Sequence, residues 1–436
     1  MAEKMKPRIH LYFHDLAFGD TQDKYKLQGN YMEHLYHYFN YMINWSSPVD
    51  PDFELPYELV LHRFTKARQI QVGQNDYYLI FFPMNMDLLR HAQDNLPSLI
   101  PDLQVLDSTH KNVNLCFDYA QESNLPGNFC KTKSILSICT DVINWEQWNV
   151  IIFSSQYLTT TNGNENGFKE IYASMSYVAT WFFKVTQQET PYIMKPDLIY
   201  THKGKEGPIR YFVPNNEFRP SRAHMIVAMH DRNMLNDAEW NMNSFKDWNM
   251  HKDAKSGVYL TDKWTDRYIE LFGTVPKTNS YPWNKEFNLQ YPPAEMWPPT
   301  LLDHTYIYIA NETFHDYRNE TNPAHINLEI TEKIWKGFIY GMPMLINSRK
   351  GGVNSMTRFG FDMMEDYLHT PYDTITDTEK RIDAILDCAE NYPAATEDMV
   401  ERLYANKKHA CKKSTLWQMF DVTFGTTNLF KNILDK

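Results

Sequence analysis

Short apolar runs of four to six residues, each closed off by polar residues or proline, recur through the first half of the chain at 8–13, 77–82, 113–117 and 149–153. Their length and the punctuation that bounds them predict strands. Stretches with helical spacing lie between some of them, at 30–43 and 88–95, and a longer one is read at 169–185. Parallel strands cannot be joined by a tight turn, so this rhythm implies a parallel sheet with crossover helices.

The second half alternates in the same way. A strand at 211–213 leads into a helix beginning near Pro220, a strand at 305–310 leads through a polar loop into a helix from Thr331, and a strand follows at 343–346. Three helical segments close the chain, at 378–389, 396–408 and 414–430. A stretch punctuated by Pro and Lys at 190–207 separates the halves, which gives an N-terminal domain over 1–195 and a C-terminal domain with a helical tail over 205–436. The aromatic, Pro-rich stretch at 279–299 reads as an ordered surface loop. No internal repeat, heptad pattern, P-loop or GxGxxG after a strand is present.

With 436 residues, 43% of them hydrophobic and 15% aromatic, the chain can bury two domain cores. The net charge is −11, and acidic residues outnumber basic ones in both halves. A protein that relies on phosphate contacts with long nucleic acid usually carries a basic domain, so that class is demoted, while a small anionic ligand needs only a few well-placed cations. No apolar run approaches the ~18 residues of a membrane span, and the start lacks a secretory apolar segment, so a cytoplasmic protein is expected. Cys116, Cys130, Cys139, Cys388 and Cys411 show no CxxC spacing, which fits reduced thiols. The sequons at Asn44, Asn311 and Asn319 are then chance matches.

The segment EITEKIWKGFIYGMPMLINSRKGG, from Glu329 to Gly352, carries the most chemical information. Ile330, Ile334 and Phe338, with Ile339 beside them, form one helical stripe, and Glu332, Lys333 and Lys336 fall off it. Thr331 suits an N-cap, which puts Glu332 and Lys333 in the first turn, where free N–H groups and the helix dipole favour anions. An ammonium at such a spot can seat a pyrophosphate, and the carboxylate beside it can accept hydrogen bonds from hydroxyls. By periodicity alone the plainer reading has the better claim: Glu332 and Lys336 form an i, i+4 surface pair and Lys333 is solvated.

The string ITEKIWKGFIYGMPMLI, continuing to RFGFDMMEDY and DTEKRIDAI, resembles the C-terminal donor-binding part of glycosyltransferases with a TEKI/W-K motif, found in phage and large-virus genomes and distantly similar to the α-1,3-fucosyltransferases. In those families the Glu-Lys pair contacts the nucleotide sugar, with Lys on the pyrophosphate side, and this carries over to Glu332 and Lys333. The stretch 210–245 resembles the same proteins' strand, Asn turn and Arg-bearing helix start. That resemblance implies that Arg219 and Arg222 clamp donor phosphates and that Asn215 or Asn216 shapes the turn; without it, two solvated arginines at a helix end is an equal reading. In IANETFHDYRNE the resemblance places Glu312 in the same cleft, on ribose or sugar hydroxyls. Glu329 stands where the fucosyltransferases carry an aromatic residue, so fucose and a guanine nucleotide are not implied.

The resemblance implies an α/β fold of two Rossmann-like domains facing a cleft (GT-B-like), with C-terminal helices. The expected activity is metal-independent transfer of a sugar from a nucleoside-diphosphate sugar to the hydroxyl of a glycan or small molecule, with no cofactor required. A hydroxymethylated DNA base is the alternative acceptor, and a non-catalytic nucleotide-sugar-binding protein is the alternative class. An inverting transfer needs a general base, and His14 and Asp15, directly after the first strand, are the candidates. His224, His230 and Asp231 fall along one helix without a converging fourth ligand, so no metal site is expected.

Overall fold

The computed structural model describes residues 6–14, 31–44, 47–65, 69–82, 112–119, 149–157, 169–173, 210–242, 263–279, 306–312, 328–329, 332–393 and 396–428, except for 48, 74–75, 155, 216–217, 275–276, 349, 369–370, 394–395 and 424–426. The chain forms two compact units, one of residues 1–184 with 412–436 and the other of residues 185–411. Both are of the α/β class and carry a Rossmann-like sheet. Among the described residues no helix is long and apolar enough to cross a membrane.

The first unit contains β1 (Arg8–His14), α1 (Tyr31–Asn44), β2 (Glu58–Phe64), β3 (Tyr77–Phe82), β4 (Val113–Tyr119), β5 (Asn149–Ser154), the two-residue β6 (Gln156–Tyr157) and β7 (Lys169–Ala173). Six strands form a parallel sheet in the order β2-β1-β3-β4-β5-β7. The direction of winding reverses between β1 and β3. Alternation along β1 buries Ile9, Leu11 and Phe13 completely. Phe13 stacks on Phe81 of β3 with ring centroids 4.3 Å apart and meets Tyr36 and Phe39 of α1. His10 and Tyr12 alternate with them and face the opposite side.

Residues 169–173 form an edge strand paired with β5, not the start of a helix. Ile171 and Tyr172 suit a strand, and pairing along β5 satisfies the backbone that a helix would have satisfied internally. The expected helix at 88–95, the linker at 190–207 and the loop at 279–299 lie almost wholly outside the described residues.

The second unit contains β8 (Tyr211–Val213), α2 (Pro220–Asp231), β9 (Ala238–Met242), α3 (Lys263–Phe272), β10 (Lys277–Asn279), β11 (Ile307–Asn311), β12 (Leu328–Glu329), α4 (Glu332–Tyr340), β13 (Met344–Asn347), α5 (Gly352–Arg358), α6 (Glu365–Leu368), α7 (Thr378–Glu390) and α8 (Glu397–Ala410). Its sheet runs β10-β9-β8-β11-β13, with β10 antiparallel to β9 and the other four strands parallel. Winding reverses between β8 and β11.

Helix α4 packs closely because of two glycines. A Cβ at Gly337 would run into the Met344 sulfur and come within 3.1 Å of the Tyr308 ring. Gly341, at φ +65°, ends the helix: its N–H bonds the Phe338 carbonyl and Met342 N–H bonds that of Gly337, a Schellman stop that L side chains rarely adopt. Helices α7 and α8 start on side-chain caps, Asp377 to Lys380 N–H and Thr396 to Met399 N–H.

The last helix, α9 (Lys413–Asp421), was expected to extend the second half, but it groups with the first unit. The Asp50 carboxylate accepts from Lys413 N–H at 3.0 Å, Ser414 N–H at 2.9 Å and the Ser414 hydroxyl at 2.7 Å. Tyr38 of α1 donates to the Leu416 carbonyl.

Candidate functional site

In a doubly wound sheet the connections leaving the two strands at the reversal diverge, and ligands bind beyond the carboxyl ends of those strands. In the second unit these strands are β8 and β11. Arg219 is the N-cap of α2, in extended conformation with no side-chain cap hydrogen bond, and Pro220 follows it. Proline supplies the helical φ and has no N–H to leave unsatisfied. The first turn carries no acidic residue, and Arg222 sits within it. Arg219 and Arg222 are only 8% and 3% exposed, so they are not solvated arginines on a helix end. Helix α5 differs: the Asp373 carboxylate already accepts from Val353 and Asn354 N–H, so its start is neutralised from within.

Four buried asparagines, one near the carboxyl end of each parallel strand, are joined across the sheet. Asn347 Nδ2 donates to Asn311 Oδ1 at 2.7 Å, Asn311 Nδ2 donates to Asn215 Oδ1 at 3.1 Å, and Asn215 Nδ2 donates to the Val213 carbonyl at 3.2 Å. The Asn215 backbone N–H donates to Asn241 Oδ1 at 2.6 Å. Two backbone groups fix every amide orientation in this row. The Val213 carbonyl only accepts, which sets Asn215, then Asn311, then Asn347; the Asn215 N–H only donates, which sets Asn241. The row therefore has polarity, with Asn347 Oδ1 and Asn241 Nδ2 at its ends, both buried and without a protein partner.

Glu312 directly follows Asn311 and is fully buried, and its backbone N–H donates to the Asn347 carbonyl. Lys333 Nζ lies 3.8 Å from Glu312 Oε2, with the lysine side chain 13% exposed. Tyr308 of β11 donates from its hydroxyl to the Lys333 carbonyl at 3.0 Å, which ties the first turn of α4 to the same strand. Lys336 does not lie on the surface as the plainer reading of this helix has it: it is 1% exposed, and α4 is buried on all sides from Ile334 to Tyr340.

The second unit thus brings Glu312 and Lys333 into contact and puts Arg219 and Arg222 at the helix start after the neighbouring strand. Glu332 is the first residue of α4, and its side chain lies outside the description, as do Thr331 and Asn216. His14 ends β1 opposite Phe64, at the reversal of the first unit's sheet, and Asp15 lies outside the described residues. Asn241, Asn311 and Asn347 were missed as members of the site. The signal was present, because the runs FVPN, AEWN, IYIAN and MLIN each place an asparagine at or just after a short apolar strand.

Chemically, two guanidinium groups and an ammonium near a helix start can neutralise a phosphate-bearing ligand, and the amides and Glu312 offer donors and acceptors to hydroxyls. Among the described residues no group of three or more His, Cys, Asp or Glu side chains is placed to hold a metal ion. No family model matches the chain, and neither a curated protein nor a solved structure matches it.

Proposed function

We infer that the chain is a glycosyltransferase of GT-B-like architecture that moves a sugar from a nucleoside-diphosphate sugar to an acceptor hydroxyl. The observation that carries this reading is the burial of Arg219 and Arg222 at a helix start whose first turn has no acidic residue, on the strand reversal, next to the strand that ends at Glu312, the partner of Lys333. Guanidinium groups at a helix start supply both the charge and the fixed N–H donors that a diphosphate requires. In this reading Arg219, Arg222 and Lys333 stabilise the departing diphosphate electrostatically, the part a metal ion plays in other transferases. Glu312 and Glu332 bind ribose or sugar hydroxyls, and His14 or Asp15 takes the acceptor proton.

The test is thermal stabilisation of the full chain by a panel of nucleoside diphosphates and nucleotide sugars, each compared with the ligand-free protein. A ligand that binds only the native state stabilises it by mass action, by about 2.7 kcal/mol at one hundred times its Kd, and so raises the melting temperature. One nucleotide family should stabilise the wild type, and Lys333→Ala should lose most of that shift. No shift with any nucleotide would sink the reading. Binding without sugar release to water or acceptor would instead favour a nucleotide-sugar-binding protein.

A further inference from the structure

A cluster of titratable rings in the first unit uses none of the residues of the site described above. His10 of β1 uses both ring nitrogens: Nδ1 is 2.9 Å from His62 Nε2 of β2, and Nε2 is 3.2 Å from Asp76 Oδ2. The rings lie nearly parallel to two tyrosines. His10 stacks on Tyr78 with centroids 5.0 Å apart at 9°, and His62 stacks on Tyr12 at 4.3 Å and 14°. Because His10 stands between the other two groups, the three do not converge on one point, and a single metal ion could not use them all.

The same face holds down a stretch of the β2–β3 connection. Gly73 N–H donates to the Tyr78 hydroxyl at 2.6 Å, and Asn112 Nδ2 donates to the Gly73 carbonyl at 3.0 Å and also to that of Asp76. The backbone of Gln71 bonds the Tyr12 hydroxyl. Asp76 therefore tethers one end of this stretch through His10, and Tyr12 and Tyr78, each stacked on one of the two histidines, hold its middle.

The proton count of the pair is limited by its geometry. Asp76 accepts only, so His10 Nε2 carries a hydrogen. The bond between His10 Nδ1 and His62 Nε2 then needs one hydrogen, donated from either side. With both rings neutral, His62 donates; with one added proton shared by the pair, the bond is kept and either ring can donate. A second added proton puts two N–H groups face to face between two cations, and the bond is lost.

We propose that His10 and His62 share one proton as an acid-sensitive clasp, which holds residues 69–73 and Asp76 on the sheet and releases them when both rings are protonated. The described groups that face the pair are Asp76, Tyr12 and Tyr78, with the Arg8–Glu58 ion pair at the start of the same two strands. A proton on His62 is opposed by burial of that ring and then by the neighbouring His10, which together hold His62 below the usual imidazole range. The unfolded chain therefore binds more protons than the folded one just below pH ~6.5, and the clasp loses stability as pH falls there.

The test is hydrogen exchange of the full chain between pH 8 and 5, corrected for intrinsic rates, with peptides over residues 69–78 compared with β4 as an internal reference. The opening constant of 69–78 should rise by up to about tenfold per pH unit once opening takes up one proton, while β4 stays protected. His62→Phe keeps a ring on Tyr12 and removes the second imidazole, so its exchange should lose this slope. A flat wild-type profile, or the same slope in His62→Phe, overturns the clasp. If that variant does not fold, 15N titration of the wild-type imidazoles decides. Two rings that move together in separate first and second steps support the shared proton, and two independent single-proton curves overturn it.

Discussion

Lys333 reaches Glu312 across 3.8 Å, and the carboxylate at the far end has no solvent exposure at all. Breaking a buried pair from one side leaves a charge uncompensated, whereas replacing both members removes the problem. Lys333→Met should therefore destabilise the second unit by roughly 3 kcal/mol, and the double variant Glu312→Gln/Lys333→Met should recover much of the loss. Urea midpoints in a double-mutant cycle check this. Equal losses in the single and double variants would show that the two residues do not depend on each other.

The asparagine row predicts an order of severity at Asn347. Its amide must donate to Asn311, so Asn347→Asp sets an acceptor against an acceptor and buries a charge, with a cost above about 3 kcal/mol at neutral pH. Asn347→Leu removes the donor but adds no charge, and should cost about 1–3 kcal/mol. Acidification should restore part of the Asp variant's deficit, because a protonated carboxyl can donate. Denaturant titrations at pH 7 and pH 5 separate the two variants, and Leu ranking below Asp would refute the assigned polarity.

Much of this architecture is legible in the sequence, and what is not follows a pattern. Strands β1, β3, β4 and β5 are near-continuous apolar runs because parallel strands are covered on both faces. Strand β2, ELVLHRF, is not legible because His62 and Arg63 interrupt the run at a sheet edge, and β7 reads as a helix because period alone does not separate the two. Arg219, Arg222 and Lys333 stood out as cations at helix starts. Asn241, Asn311 and Asn347 did not, since a lone asparagine ordinarily signals a cap or turn, and only pairing across four strands turns them into one row. The attachment of α9 to the first unit rests on Asp50, 364 residues before Ser414, a contact no local pattern announces.

Asp50 supplies a prediction of its own. Burial works against its charged form, but hydrogen bonds from Ser47, from Ser414 and from the Lys413 amide outweigh this and hold its carboxyl below the usual range. A depressed carboxylate stabilises above the unfolded-state pKa and loses that contribution as pH falls through its folded value. Asp50→Ala should cost about 1–2 kcal/mol as a lost cap and free the start of α9. Exchange of residues 413–421 should rise in the variant at neutral pH and in the wild type only in acid. Unchanged exchange would show that α9 is held by packing alone.

His224 gives the second unit an acid sensitivity of different origin. Its ring is buried on α2 and stacks on Trp264 at 3.9 Å, and the Trp264 indole donates to Glu379, which also pairs with Lys263. Burial pushes the imidazole down to about 4, against an attraction from Glu379 and with some help from Lys263. The unfolded ring binds its proton near pH 6.5, so between pH 6.5 and 4 the unfolded state takes up more protons and the fold weakens as the solution is acidified. The shift corresponds to roughly 3 kcal/mol lost across that window. His224→Phe keeps the aromatic stack and removes the titration, so its stability should fall less steeply than the wild type's from pH 6.5 to 4. Parallel stability curves for the two proteins would mean that the His224 proton plays no part.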